Sequence, residues 1–402
     1  MNAKTTTLTI GHTADWHLGQ NRHGHRTAAG TNSARDSLRR CADHVVTDAL
    51  DKQLDAMLIV GDPLDKGTPS AEDVAFLQDT VARLVNDGVP VLIEDGNHGR
   101  HGVRAGDRGP ASLLRAAGAT VYSEPGIVHM DTRNGPLHVL AVPWIERQKY
   151  LEAAGALDVD PAQRDELIAA YIGGLIEDLV DDTNLPNGER FIATSHTTVS
   201  GSVLGGEGPD RGSETVINPA GVFEEVILPL DLFTEVGAEY VALGHIHQQQ
   251  DFGIASYAGS IDRLTFGEAA SPKGYLNVTL NGGEPQRELV ATPARKMRNV
   301  NLAKNPTPDL SDLAPDELVK VFLDEGQAQV PEDIRKAVTE AGARLTAPRR
   351  RPVRRTAAHG TIQEGLSPLD ASKQWAKIKG LDESMTDKVL TRLAGYVDSC
   401  CH

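Results

Sequence analysis

One pattern limits what this chain can fold into more than any other. A short run of consecutive apolar residues recurs, each time leading into a carboxylate, amide or imidazole, often beside a glycine. Met57-Leu-Ile-Val60 runs into Gly61-Asp62, and Val89-Pro-Val-Leu-Ile93 into Asp95-Gly96-Asn97-His98. Arg190-Phe-Ile-Ala-Thr194 delivers Ser195-His196, and Glu239-Tyr-Val-Ala-Leu243 delivers Gly244-His245-Ile246-His247. The first run, Leu8-Thr-Ile-Gly11, precedes Asp15 and His17. A strand with no polar face is a strand buried on both faces. Between the runs the period lengthens. Leu38, Cys41, Ala42, Val45, Ala49 and Leu50 mark a helix within Ser33 to Leu54, and Val74, Leu77, Val81 and Leu84 mark another from Ser70 to Asn86. Alternation of strand and helix predicts an α/β layered core, with its chemistry at the carboxyl ends of the strands.

Further along, Leu137 to Val142 reads as a strand entering Pro143-Trp144, and residues 161 to 180 as a helix. Gly205 to Gly212 reads as a glycine-rich loop. Tyr257-Ala-Gly-Ser260, Leu264 to Glu268 and Lys273 to Leu280 read as closing strands of a second sheet. After about Thr292 a strand (Glu317 to Leu323) and a helix (Pro331 to Ala341) suggest a small α+β module. Two amphipathic helices follow near the C-terminus, the first capped by Ser367-Pro368, the second carrying Met385, Val389, Leu390, Leu393 and Val397.

A chain of 402 residues has room for two or three domains. No apolar run approaches the roughly 20 residues that span a bilayer, so no membrane role is expected. The polar start carries no secretory signal pattern. The three cysteines, Cys41, Cys400 and Cys401, have no framework spacing, which fits a reducing cytoplasm. The net charge of −16 makes the chain an awkward partner for nucleic acid unless cations intervene. A basic patch does hide in that average: Arg344, Arg349, Arg350, Arg351, Arg354 and Arg355 share a stretch with no acid. A solvated linker is the plainer reading of it, and direct DNA contact the other.

Collected, the strand-end residues are Asp15, His17, Asp62, Asn97, His98, His196, His245 and His247. Any one of these histidines alone would be read as a hydrogen-bonded loop residue. Five clusters in this order, each behind its own apolar run, read instead as an open catalytic metal centre without thiolates. Seven nitrogen and oxygen ligands suit two ions sharing one carboxylate, with Asp62 as the bridge. His98 is then spare, available to protonate a leaving oxygen or to stabilise charge on phosphate.

The series Asp15-x-His17, Gly61-Asp62, Gly96-Asn97-His98, His196 and Gly244-His245-x-His247 resembles the calcineurin-like metallophosphoesterases. Asp15-Trp-His-Leu-Gly-Gln20, Tyr240 to Gln250, Tyr257-Ala-Gly-Ser260 and Thr265-Phe-Gly-Glu268 with Lys273-Gly274 are similar to the SbcD-like nuclease subunits among them. The resemblance implies a four-layer αββα sandwich over residues 1–292 and an α+β capping domain over 293–345. The arginine-rich residues read as a basic linker over 346–365, and the resemblance makes residues 366–402 a helical segment that grips an SbcC-like ATPase. The resemblance assigns one manganese ion to Asp15, His17, Asp62 and His247, and a second to Asp62, Asn97, His196 and His245. Magnesium is the alternative, and His98 is the catalytic non-ligand. The implied activity is 3′–5′ exonuclease and single-strand endonuclease action on DNA, by a homodimer within a heterotetramer. Two alternatives stand beside it: a phosphoesterase for small molecules or phosphoproteins, and a non-enzymatic scaffold, which has no reason to keep every ligand. Three positions depart from the family. Gly99 replaces the acid that usually positions the catalytic histidine, so another acid such as Asp95 substitutes or turnover is weak. Pro63 and Lys66 alter the loop around Asp62 and spare the ligands.

Overall fold

The computed structural model of the chain describes residues 6–100, 109–183, 189–203, 225–324, 327–350 and 373. The glycine-rich loop at 205–212, the stretch from 351 to 365 and, apart from Lys373, the C-terminal helices lie outside the described residues.

The chain begins as a parallel series: β1 (Leu8–Thr13), α1 (Ser33–Asp51), β2 (Ala56–Ile59), α2 (Ala71–Asn86), β3 (Val91–Glu94), α3 (Asn97–Arg100) and β4 (Thr120–Tyr122). It continues with β5 (Gly126–Thr132), β6 (Gly135–Val142), α4 (Arg147–Ala153), α5 (Pro161–Thr183), β7 (Arg190–His196), β8 (Thr198–Val199) and β9 (Ile227–Leu228). Next come α6 (Asp231–Thr234), β10 (Val241–Gly244), β11 (Gln250–Phe252), β12 (Ala255–Tyr257), β13 (Gly274–Leu280) and β14 (Gln286–Ala291). Last are β15 (Met297–Asn301), β16 (Leu318–Leu323), α7 (Glu332–Glu340), β17 (Arg344–Leu345) and β18 (Arg349–Arg350).

Among the described residues the main strands make two six-stranded sheets, ordered β14-β13-β1-β2-β3-β4 and β11-β12-β10-β7-β6-β5. Alternate side chains of one strand serve two different cores. In β2, Met57 and Ile59 pack toward α1 and α2, while Leu58, followed by Val60, faces the other sheet. In β6, Val139 and Ala141 face the first sheet, while Leu140 and Val142 pack outward with Tyr150 and Ile172 of α4 and α5. Each such side chain contributes about 1.5–3 kcal/mol by leaving water, and this double burial is why the runs carry no polar face. The layers are helix, sheet, sheet, helix, as expected of an αββα sandwich.

The structure corrects three expectations about the fold. Lys273 to Leu280 does not extend the second sheet: β13 lies antiparallel to β1 in the first. Leu264 to Glu268 is not a strand; Phe266–Glu268 is a 3-10 turn closed by a capping box between Thr265 and Glu268. Beyond β14, β15 to β18 and α7 enclose a separate apolar cluster around Val319, Val321, Ile334 and Val338. Phe266 meets Met297 and Leu318 where this module joins the rest. Arg349–Arg350, expected in a linker, pairs with β16 instead. Among the described residues no helix is long and apolar enough to cross a membrane.

Candidate metal centre

All five clusters arrive at one place because their strands are neighbours. β1, β2 and β3 lie side by side and parallel in the first sheet, and β7 and β10 side by side and parallel in the second. Their carboxyl ends therefore open on the same edge of the sandwich.

The backbone there is unlike the strands that feed it. Asp15, His17, Asp62 and His245 all have positive φ, at 54°, 45°, 46° and 96°. A non-glycine residue held there stores about 1–3 kcal/mol of strain, which the surrounding structure must over-determine. Asp15 and His17 thus converge through left-handed turns, and not through the pleat of an extended run, which ends at Thr13. Hydrogen bonds between the loops hold this shape: Asp15 N–H donates to Gly61 O at 3.2 Å, His17 N–H to Asp62 O at 3.0 Å, and Leu18 N–H to Pro63 O at 3.1 Å. Pro63 costs the loop nothing here, since its carbonyl is the group in use. Trp16, between the two candidate ligands, turns the other way into the core, its indole N–H on Thr13 Oγ1 at 2.8 Å.

The seven candidate ligands are at most 4 % exposed. His17 Nε2 and His247 Nε2 face each other at 3.1 Å, and each lies 4.0 Å from Asp15 Oδ1. His17 Nε2 is also 4.0 Å from Asp62 Oδ2. On the other side of Asp62, its Oδ2 is 3.3 Å from His196 Nε2. Asn97 Oδ1 then lies 3.2 Å from both His196 Nε2 and His245 Nδ1. Asp62 stands between the two groups, where a bridging carboxylate would have to be. Among the described residues, Asp15, His17 and His247 close into a metal-sized group, as do Asp15, Asp62 and His196. The set is entirely nitrogen and oxygen, the donor chemistry of a borderline or hard divalent ion.

Neighbouring groups aim these donors. His196 donates its Nδ1–H to Val60 O at 2.8 Å, which turns Nε2 inward. Burial would push this imidazole down, but Asp62 outweighs it and holds it up at about 9. Burial would likewise push the Asp62 carboxyl up, and His196, His98 and His17 together hold it well below the usual carboxylate range. His247 Nδ1 lies 3.3 Å from Glu268 Oε1, and Lys273 Nζ donates to Glu268 Oε2 at 2.7 Å and to His247 O at 2.8 Å. His245 Nε2 lies 2.9 Å from Glu225 Oε1.

His98 differs from the other seven. Its side chain is 17 % exposed, so it is the one that faces outward. Its backbone N–H donates to Asp62 Oδ1 at 2.9 Å, its ring packs edge-on to His17 at 4.5 Å, and its Nδ1–H donates to Asp65 O at 3.1 Å. Burial pushes the imidazole down to about 4, against the pull of nearby Asp62. The acid beside it among the described residues is Asp65, and not the Asp95 expected from the sequence. Asp65 Oδ1 is 3.9 Å from His98 Nδ1 and 3.5 Å from His17 Nδ1. Sequence reasoning misses Asp65, although a second carboxylate three residues after Asp62 is a readable signal. It also misses Glu268 and Glu225. The local pattern puts Glu268 in a strand, and Glu225 follows the glycine-rich stretch with no motif of its own.

The calcineurin-like phosphoesterase family matches residues 8–249, more than half of the chain. The chain belongs to the calcineurin-like phosphoesterases. This phosphoesterase is 27% identical over 322 residues to SbcD, a subunit of the nuclease SbcCD, of Rhodobacter capsulatus, covering 75% of this chain and 74% of that protein. It is 27% identical over 302 residues to the DNA double-strand break repair protein Mre11 of Aeropyrum pernix, covering 72% and 62%. With the SbcD of Escherichia coli K12 it shares 26% over 286 residues, covering 69% and 66%. It therefore spans under two thirds of the archaeal relative. This phosphoesterase is an enzyme of a class that works with divalent metals, and its buried donor set fits them.

Proposed function

We propose that this phosphoesterase is a manganese-dependent DNA nuclease that hydrolyses phosphodiester bonds at DNA ends and in single strands. In this reading Asp15, His17, Asp62 and His247 hold one ion, and Asp62, Asn97, His196 and His245 the other. The pair of ions supplies activation of water and neutralisation of the phosphate oxygens. The chain's own residues do the rest. Asp62 and Asn97 fix the spacing of the two sets, and Glu268 and Val60 orient the histidines that face them. His98, anchored through Nδ1 on Asp65 O, keeps Nε2 for exchanging a proton with the leaving oxygen. An anionic phosphate beside it favours the imidazolium it needs for that role.

The reading rests on the convergence of seven nitrogen and oxygen side chains from five strand ends on one buried centre. The relatives named for DNA cleavage and break repair favour nucleic acid over a small phosphate ester. The same proposal includes a catalytic domain over 1–292, a cap that begins at 293 and takes in β18 at Arg349–Arg350, and a C-terminal segment from 366 that docks an SbcC-like ATPase.

The test is an assay of the purified protein on linear duplex DNA, single-stranded DNA and a nitrophenyl phosphodiester, with manganese and with chelator. Cleavage of DNA with manganese, abolished by chelator, is expected. His98→Ala is expected to retain both ions by calorimetric titration and to lose about 10²–10⁴-fold in rate. Hydrolysis of the nitrophenyl ester with no cleavage of DNA would overturn the nuclease reading. Unchanged cleavage by His98→Ala would overturn the acid assignment.

A further inference from the structure

On the His196–His245 side of the centre stands a side chain that neither metal chemistry nor folding accounts for. Trp144 follows β6, and its backbone N–H donates to Asp95 O at 3.2 Å, two residues before Asn97. It is thus tied to the edge where the first sheet delivers its candidate ligands. The indole lies 5.1 Å from the His245 ring, tilted by 45°, and 6.3 Å from His196 at 66°. Among the described residues no other ring or cation packs on it, and its N–H has no hydrogen-bond partner. Trp16 makes the contrast: it is fully buried, with its N–H bonded. Trp144 stays partly exposed. A chain with 4% aromatics and three tryptophans has placed one of them, half open, at the rim of its metal centre.

We propose that Trp144 is a stacking platform for the nucleobase that flanks the scissile phosphate. This rests on the nuclease reading above and narrows it. Every base has a π-face, so stacking on an indole gives affinity without sequence preference. It also suits an acidic chain, because it attracts the strand through an uncharged contact. Bases inside a duplex are already stacked on each other. The platform therefore favours unpaired or frayed DNA, whose bases are free to turn onto it.

The experiment uses the full chain with manganese and a single-stranded oligonucleotide cut at one defined bond. The oligonucleotide is intact or carries one abasic residue on either side of that bond. Wild type is expected to lose roughly tenfold in kcat/KM when the base on one side is removed. Trp144→Ala should show that same loss on intact DNA and no further loss on the abasic strand. Trp144→Phe should retain most activity, and calorimetric titration should give Trp144→Ala the wild-type manganese stoichiometry. Losses that multiply, or a wild type indifferent to the missing base, would overturn the proposal. So would a Trp144→Ala that binds less manganese, which would make the ring a wall for His245. If wild type cuts no DNA yet hydrolyses a nitrophenyl phosphodiester, the nuclease reading itself fails and this inference goes with it.

Discussion

A methyl group added at Gly61 would lie 1.8 Å from His196 Nδ1, on a backbone with φ of +84°. His196 cannot swing away, because that nitrogen is already bonded to Val60 O. Gly61→Ala is therefore expected to displace His196 and, with the left-handed penalty of about 1–2 kcal/mol, to destabilise the fold. Titration calorimetry should find one manganese ion bound where wild type binds two, and two ions bound with unchanged melting would refute the argument. Gly96 is held by the same logic, since a Cβ there would meet Asp62 Oδ1 at 2.2 Å. At this scale the sequence is informative about ligands and silent about their supports. Asp15, His17, Asp62 and the histidines announce themselves by ending apolar runs. Glu268 and Trp144 owe their roles to His247 and His245, contacts that no local motif announces, while Asp65 has a local signal but needs the fold to bring it to His17 and His98.

Between elements, one carboxylate does much of the joining. Asp73 in α2 is buried, and accepts hydrogen bonds from Arg35 of α1 at 2.7 Å, Arg39 of α1 at 3.1 Å and the helix-capping Ser70 at 2.6 Å. It also backs the loop after β1, where a Cβ at Gly19 would come within 2.8 Å of its Oδ2. Asp73→Ala leaves two guanidinium groups without this partner, and is expected to cost about 1–3 kcal/mol. Urea unfolding monitored by circular dichroism would measure it; a midpoint unmoved would show that the other partners suffice, Ser70 Oγ for Arg35 at 3.1 Å and Glu72 for Arg39 at 2.7 Å. Helix α1 and helix α2 are legible because their apolar stripes repeat at helical spacing. Leu264 to Glu268 misleads because Thr265 and Phe266 alternate like a strand, while the deciding contact is a side chain capping its own turn. β13 is recognisable as a strand, but its sheet is not, since its partner β1 lies more than 260 residues earlier.

Across the whole molecule, His12 links the two sheets. It belongs to β1, yet its Nε2–H donates to Leu243 O at 3.1 Å and its Nδ1 lies 2.8 Å from Tyr240 Oη, both in the other sheet or beside it. With both nitrogens engaged and no exposure, burial pushes the imidazole down to about 3 from 6.5. The unfolded chain therefore binds a proton that the folded one refuses. The neutral ring's stability contribution is complete above pH 6.5 and is lost progressively as pH falls toward 3. Thermal melting of the metal-free protein should fall over that window, and Tyr240→Phe should lower the midpoint further by leaving Nδ1 unpaired, at a cost of about 1–3 kcal/mol. A melting temperature flat across those pH values would refute this.

The candidate ligands divide between the sheets, with Asp15, His17, Asp62 and Asn97 from one and His196, His245 and His247 from the other. A cation pair held there is a clasp across the seam of the sandwich. Each ion at a hundred times its dissociation constant would add about 2.7 kcal/mol to folding, and would add it as a tie between halves. Stripped by chelator, the protein should melt in a broader or split calorimetric transition, and readdition of manganese should restore a single sharp one. Loading the cofactor and fastening the two halves of the sandwich would then be a single event, so an unloaded chain would be both inert and loosely shut.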